Sequence, residues 1–167
     1  MTFTNIELNV YNGLQDTPTQ AEMCILVLYS QAISHPYMSV VWGPEQTNAL
    51  DLGPLHKQVK VHIQKIIDNP LLLLHPGASY SSGAMDGKQW EHPEAMYAVW
   101  QLAAEPGFPD LAELLPTFFQ GALDTWERFT KEFHEDGPIA KASAQNRWLA
   151  YMRPTNDANE GALGGFR

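Results

Sequence analysis

The sequence contains a single cysteine, Cys24, in 167 residues. One thiol excludes an intramolecular disulfide framework and fits a reducing compartment. Its setting, Met23-Cys24-Ile25-Leu26-Val27-Leu28, offers no polar group to activate it, so a buried, inert thiol is expected rather than a nucleophile. Basic residues are scarce as well: 10 Lys and Arg stand against 19 Asp and Glu, for a formal net charge of −9. Nucleic-acid affinity comes mostly from cations that neutralise phosphates, so tight DNA or RNA binding by the isolated acidic chain is disfavoured. Long apolar runs are missing, the longest being Met23 to Tyr29, which is far shorter than a bilayer-spanning helix requires. The N-terminus lacks the basic stretch and apolar run of a secretory signal. These absences predict an intracellular chain without a membrane partner, nucleus and cytoplasm not being distinguished. No Gly-x-Ser-x-Gly elbow, Gly-x-x-x-x-Gly-Lys loop or Gly-x-Gly-x-x-Gly fingerprint occurs, which leaves an independent small-molecule enzyme without a supporting constellation.

Apolar residues are present in quantity, at 44%, and charged ones make up 17%. That balance describes a foldable chain long enough for one core. The low charge implies that some surface is covered by a partner or by sequence outside the chain. Alternation is confined to Ile6, Leu8 and Val10, which predicts at most one short N-terminal strand before the turn-prone Asn12-Gly13.

Helix signals dominate the rest. Thr17-Pro18-x-Gln20 reads as a capping box opening a helix to about Ser34, apolar on every face from Met23 to Tyr29 and broken at His35-Pro36. Pro36 starts a short helix through Val41. Gly53-Pro54 opens an amphipathic helix with Leu55, Val59, Ile63, Ile66 and Ile67 on one stripe and His56, Lys57, Lys60 and Gln64 facing away; Asn69-Pro70 stops it. Glycine and serine mark 77–91 as a flexible loop between two helical halves. Pro93 starts a helix to Ala103, and Asp110 caps a short turn. Pro116 begins the longest helix, running to about Glu135, with Phe119, Ala122, Trp126, Phe129 and Phe133 as a wide aromatic core face. A last helix covers roughly 140–152. The expected fold is mainly α: an irregular bundle of about six helices forming one domain over 1–153, followed by a distinct segment, 154–167.

Most candidate chemistry has a simpler structural account. His56 and His62 are six apart and do not share a face as a helical zinc pair would. His35, His75 and His92 each adjoin proline and read as helix boundaries. Lys57 and Lys60 beside His56 are the nearest thing to a basic patch, and a solvated helix face explains them. Glu132, Glu135 and Asp136 crowd a helix end where the macrodipole disfavours acid, which suggests a frayed end or a cation nearby.

The C-terminal stretch Pro154-Thr155-Asn156-Asp157-x-x-Glu160-Gly161-Ala162-Leu163 offers two N-caps and places Glu160 in a first helical turn, where acid is favoured. A structural cap explains Glu160; a metal-binding carboxylate at a helix start explains it too. The Thr-Asn-Asp-x-x-Glu-Gly stretch resembles the pattern around the last carboxylate of cut-and-paste (DDE-type) transposases. The longer tail through Gly164-x-Phe166-Arg167 is similar to a motif in fungal transposon-derived proteins. In such transposases two Asp and one Glu on an RNase H-like sheet hold two divalent metals, and some families insert a large helical domain before the final Glu. The resemblance implies that this chain is the helical insertion plus the last motif, that Glu160 is the third catalytic, metal-binding carboxylate, and that Mg or Mn would bind only with a missing catalytic core. It further implies a missing sheet domain as partner, a C-terminal motif that stops short, and no activity alone. The alternative is an all-helical interaction or structural module with Glu160 as a cap.

Overall fold

The structure, a computed structural model, describes residues 3–43 and 47–155. Among the described residues it is helical throughout and holds no strand, as a mainly α fold requires. It has more helices than the six expected, because several connections turn into short helices of their own.

The expected N-terminal strand is instead the helix α1 (Asn5–Gln15). Thr4 caps it, and a reciprocal pair of bonds joins Thr4 and Glu7: Glu7 Oε2 accepts from the Thr4 N–H at 2.7 Å, and Thr4 Oγ1 accepts from the Glu7 N–H at 3.3 Å. This capping box satisfies two N-terminal donors at once. Ile6, Val10 and Leu14, spaced four apart, then form a helical stripe that the alternation of Ile6, Leu8 and Val10 conceals.

A single residue, Asp16, links α1 to α2 (Thr17–Tyr29) and caps it in place of the expected Thr17, accepting from the Thr19 N–H at 3.0 Å. Gln20 does not close a box with Thr17; its amide donates to the Leu14 carbonyl. The helix does not break at His35-Pro36. It passes through a π-helical turn, Ser30–Ser34, into α3 (His35–Val41). Proline at position 36 brings no N–H to the carbonyl one turn earlier and crowds it. That carbonyl belongs to Ala32, and it accepts instead from the Met85 N–H at 2.9 Å. Thr17–Val41 is therefore 25 residues of continuous helix, long and apolar enough by length and composition to cross a membrane, which the short Met23–Tyr29 run did not suggest. Its inner face, with Ala21, Cys24, Ile25, Leu28, Ala32 and Ile33, is the centre of the core.

Around it pack α4 (Gly53–Asp68), α7 (Pro93–Ala103) and α8 (Leu111–Phe129), with α4 and α8 the most extensively paired. Helix α8 starts earlier than expected, capped by Asp110, whose carboxylate accepts from the Ala112 N–H at 2.8 Å. Pro116 lies inside it and removes only one ladder bond near its start. Phe119 is fully buried and Trp126 packs against the core, but the aromatic face ends there. The helix stops at Phe129, which is 67% exposed under the Arg128 guanidinium, and Lys131–Phe133 form a 3-10 turn.

The 77–91 segment is tied to the bundle at three points. Leucines of α5 (Leu71–Leu74) lead into it, and Ser79 caps the short α6 (Tyr80–Gly83). His62 donates to the Gly83 carbonyl at 2.8 Å, Lys65 donates to the Ser82 carbonyl, and Met85 is tied to Ala32. The expected last helix is two pieces, α9 (Pro138–Lys141) and α10 (Ala144–Leu149), because Ser143 restarts the chain as an N-cap for Asn146.

Candidate functional site

An open groove of about 1040 Å³ runs between α4 and the end of α8, closed at one side by 131–140 and Arg147. The amphipathic helix α4 supplies His56, Lys57, Lys60 and Val61, and the end of α8 supplies Leu123 and Glu127. Glu127 gathers two donors. Its Oε2 accepts from Lys60 Nζ at 3.2 Å and from His134 Nε2 at 2.9 Å. A carboxylate only accepts, so His134 carries its proton on Nε2 and the 3.3 Å approach of Lys60 to that nitrogen is donor beside donor. Arg147 pairs with Asp51 at 2.7 Å on the far wall. Lys57 has no carboxylate at ion-pair distance among the described residues.

His56 forms part of the floor, and its burial corrects the expectation that it faces away with Lys57 and Lys60. Its ring meets Phe133 edge-on at 4.5 Å and lies near Tyr37 and Trp126. Nε2 is 3.2 Å from the Tyr37 hydroxyl, and Nδ1 is buried without a partner. Desolvation first, and the Lys60 charge second, push its pKa below the ordinary 6.5. A buried imidazole with one unmet nitrogen costs about 1–3 kcal/mol relative to a satisfied one.

His62 is buried too, in a different place, against α6. Desolvation lowers its pKa, opposed by its bond to Gly83. Both histidines thus lose proton affinity on folding. The unfolded chain binds more protons around the ordinary value, so this contribution is fully present above 6.5 and is lost as pH falls through the folded values. The midpoint of urea unfolding is expected to drop between about pH 7.5 and about pH 5.5, and His56→Gln/His62→Gln to flatten that slope. A wild-type midpoint constant over this window would contradict the assignment. Glu7, held low by the Thr4 backbone bond, and Asp16, held low by the Thr19 hydroxyl, act in a separate, more acidic window.

Chemically the groove offers an apolar floor, balanced charges at its rim and hydrogen-bond donors suited to a carboxylate. It offers no activated nucleophile. Cys24 lies elsewhere, buried in α2, and desolvation raises its pKa, as an inert thiol requires. The structure brings Lys60 of the basic patch to a carboxylate, Glu127, that the sequence did not single out. Of the acidic cluster, Glu135 reaches the groove, and Asp136 lies 3.9 Å from Lys141. His35 and His92 meet edge-on at 5.3 Å, where the His92 N–H donates to buried Gln31.

Glu160 lies outside the described residues, as do Asn156 and Asp157. Among the described residues no three His, Cys, Asp or Glu side chains converge as a metal-holding group, so no step through Mg or Mn is derived. The chain leading to the motif is fixed nonetheless. Asn48 Nδ2 donates to the Arg147 carbonyl at 2.8 Å, Asn48 Oδ1 accepts from the Met152 N–H at 3.1 Å, and the Ala49 N–H donates to the Met152 carbonyl at 2.8 Å. The backbone is folded back on the bundle while Trp148, Leu149 and Met152 stay exposed. No family model, curated protein or solved structure matches this chain.

Proposed function

We propose that this chain is a helical docking module and, more specifically, the helical region of a DDE-type transposase-like protein that works against a catalytic sheet it does not itself supply. The observation that carries the reading is the apolar step at 148–152. Asn48 and Ala49 hold its backbone in one place, yet its large side chains have no cover among the described residues. An exposed apolar patch on a fixed backbone is the mark of an interaction surface. It immediately precedes the Pro154-to-Arg167 motif in sequence. Support for the specific version is the motif itself, together with a fold as wholly helical as an insertion of that kind.

The account expects no strand cleavage from the chain alone. A supercoiled-plasmid nicking assay with manganese checks this: no nicking above the buffer rate is expected, and nicking that Glu160→Gln removes would overturn the reading. The groove favours a second reading, a general interaction module in which Glu160 is a helix cap. Its balanced rim of Lys57, Lys60, Asp51 and Glu135 suits a peptide segment better than a phosphate chain.

A further inference from the structure

We propose that the groove beside α4 binds a small amphiphilic monocarboxylate, its head held between Lys57 and Lys60 and its apolar body laid on the floor. The two lysines stand three residues apart on α4, so they leave the same face of the helix, and both line the groove. Like charges at that spacing repel, and an anion between them removes the cost. Glu127 answers only one of the pair. It meets Lys60 at 3.2 Å, whereas Lys57 has no carboxylate at ion-pair distance among the described residues. Lys60 is not fully served either, because the same Glu127 oxygen also takes the His134 N–H at 2.9 Å. An ammonium carries three donors. The pair therefore faces the groove with N–H groups to spare, and charge-assisted bonds to a carboxylate are the strong way to use them.

The floor supplies the other half of the site. Val61, Leu123, Phe133 and Ile139 line the same groove as the lysines. His56 lines it too, only 7% exposed, and its Nδ1 is the one buried side-chain nitrogen or oxygen without a partner among the described residues. A buried polar atom left unmet is uncommon in a finished core, and apolar walls with a few convergent polar groups are the make-up of a small-molecule site. The volume, about 1040 Å³, is at the upper end for such sites and takes an apolar chain with room to spare. Charge fixes the head group. Asp51, Glu127 and Glu135 share the lining with Lys57, Lys60 and Arg147. Asp51 and Arg147 are spent on each other at 2.7 Å, which leaves the lysine pair as the anion seat. One negative charge is neutralised there, whereas a dianion such as a phosphate monoester is repelled by the carboxylates around it. The inference depends neither on Glu160 nor on the apolar step at 148–152. A peptide can lie along the groove without using the lysine pair, so this reading and the peptide reading fail separately.

Isothermal titration of the full chain with sodium octanoate near neutral pH, well below micelle formation, tests the site. One octanoate per chain is expected, with Kd on the order of 100 µM or tighter. Lys57→Gln is expected to raise Kd about tenfold, and Lys57→Gln/Lys60→Gln to remove binding at millimolar ligand. Lys57 is exposed, so the single variant is expected to keep the wild-type urea midpoint and keeps the test readable if the double variant folds poorly. Lys88→Gln, outside the groove, is expected to bind as the wild type does. Octanol, with the same chain and no charge, is expected to bind at least about tenfold more weakly. No binding of octanoate, equal affinity for octanol, or affinity unchanged in both groove variants would overturn the proposal. Tighter binding of octyl phosphate or octyltrimethylammonium than of octanoate would overturn it too.

Discussion

Phe119→Ala is expected to lower the unfolding free energy by about 3–5 kcal/mol, because Phe119 is the largest fully buried side chain among the described residues. Phe119 is fully buried on α8, where its ring meets Tyr29 edge-on at 5.5 Å. Tyr29 is itself held in place, its hydroxyl accepting from Trp126 Nε1 at 2.8 Å. The ring contacts of Phe119 are Tyr29 of α2 and Phe118 of α8, and packed helices relax only partly into a space left behind. A cavity term therefore adds to the lost transfer energy. A small domain has about 5–15 kcal/mol in total, so the variant loses a large part of its stability, with a fall in Tm on the order of 10 °C. Urea unfolding followed by tryptophan fluorescence measures it. Phe129→Ala is the control, because that exposed ring is expected to cost about 0.5 kcal/mol or less. Equal losses from the two variants would contradict the packing described.

Gly83→Ala is the second large effect, and its sign runs against helix propensity. Alanine in place of a helical glycine normally stabilises by about 0.4–1 kcal/mol. At position 83 a Cβ would stand 2.8 Å from the Trp90 ring, 2.9 Å from a Leu73 methyl and 3.0 Å from the Leu72 carbonyl oxygen. A rigid ring and a backbone oxygen do not yield cheaply, and any shift of Gly83 also disturbs the carbonyl that satisfies His62. Overpacking of this kind costs about 1–3 kcal/mol. Gly121→Ala supplies the comparison: in exposed mid-α8, with nothing within 4 Å of its Cβ, it is expected to stabilise. Unfolding midpoints that move in the same direction would contradict the tight approach of α6 to α5.

These two positions mark what the sequence makes legible. Phe119 is readable because helical spacing in α8 places it on the core face, and proline and glycine punctuation locates most helix limits. The same spacing misplaces Phe129, since where a helix ends is set by the turn that follows and not by its stripe. Helix α1 was hidden by alternation although Thr4-x-x-Glu7 is a capping box; local side-chain bonds outweigh the period of three apolar residues. His56 stands three residues before Val59 and seven before Ile63, and His62 stands three after Val59 and four before Ile66, so their burial follows from the period once histidine is allowed to be neutral. The pinning of 77–91 had no local signal. It depends on a carbonyl at Ala32 freed by a proline four residues later, a consequence visible only when the two segments meet. The Lys60–Glu127–His134 cluster was out of reach for the same reason, being assembled from α4, α8 and the turn beyond it.

Reconstitution tests the docking account most directly. A sheet-forming segment with two acidic residues, encoded beside this chain, would be produced together with it and assayed for manganese-dependent strand cleavage. The account predicts cleavage only when both parts are present, lost with Glu160→Gln and weakened when Trp148 and Leu149 are replaced by serine. Cleavage indifferent to Glu160→Gln, or adjoining sequence with no such segment, would contradict it.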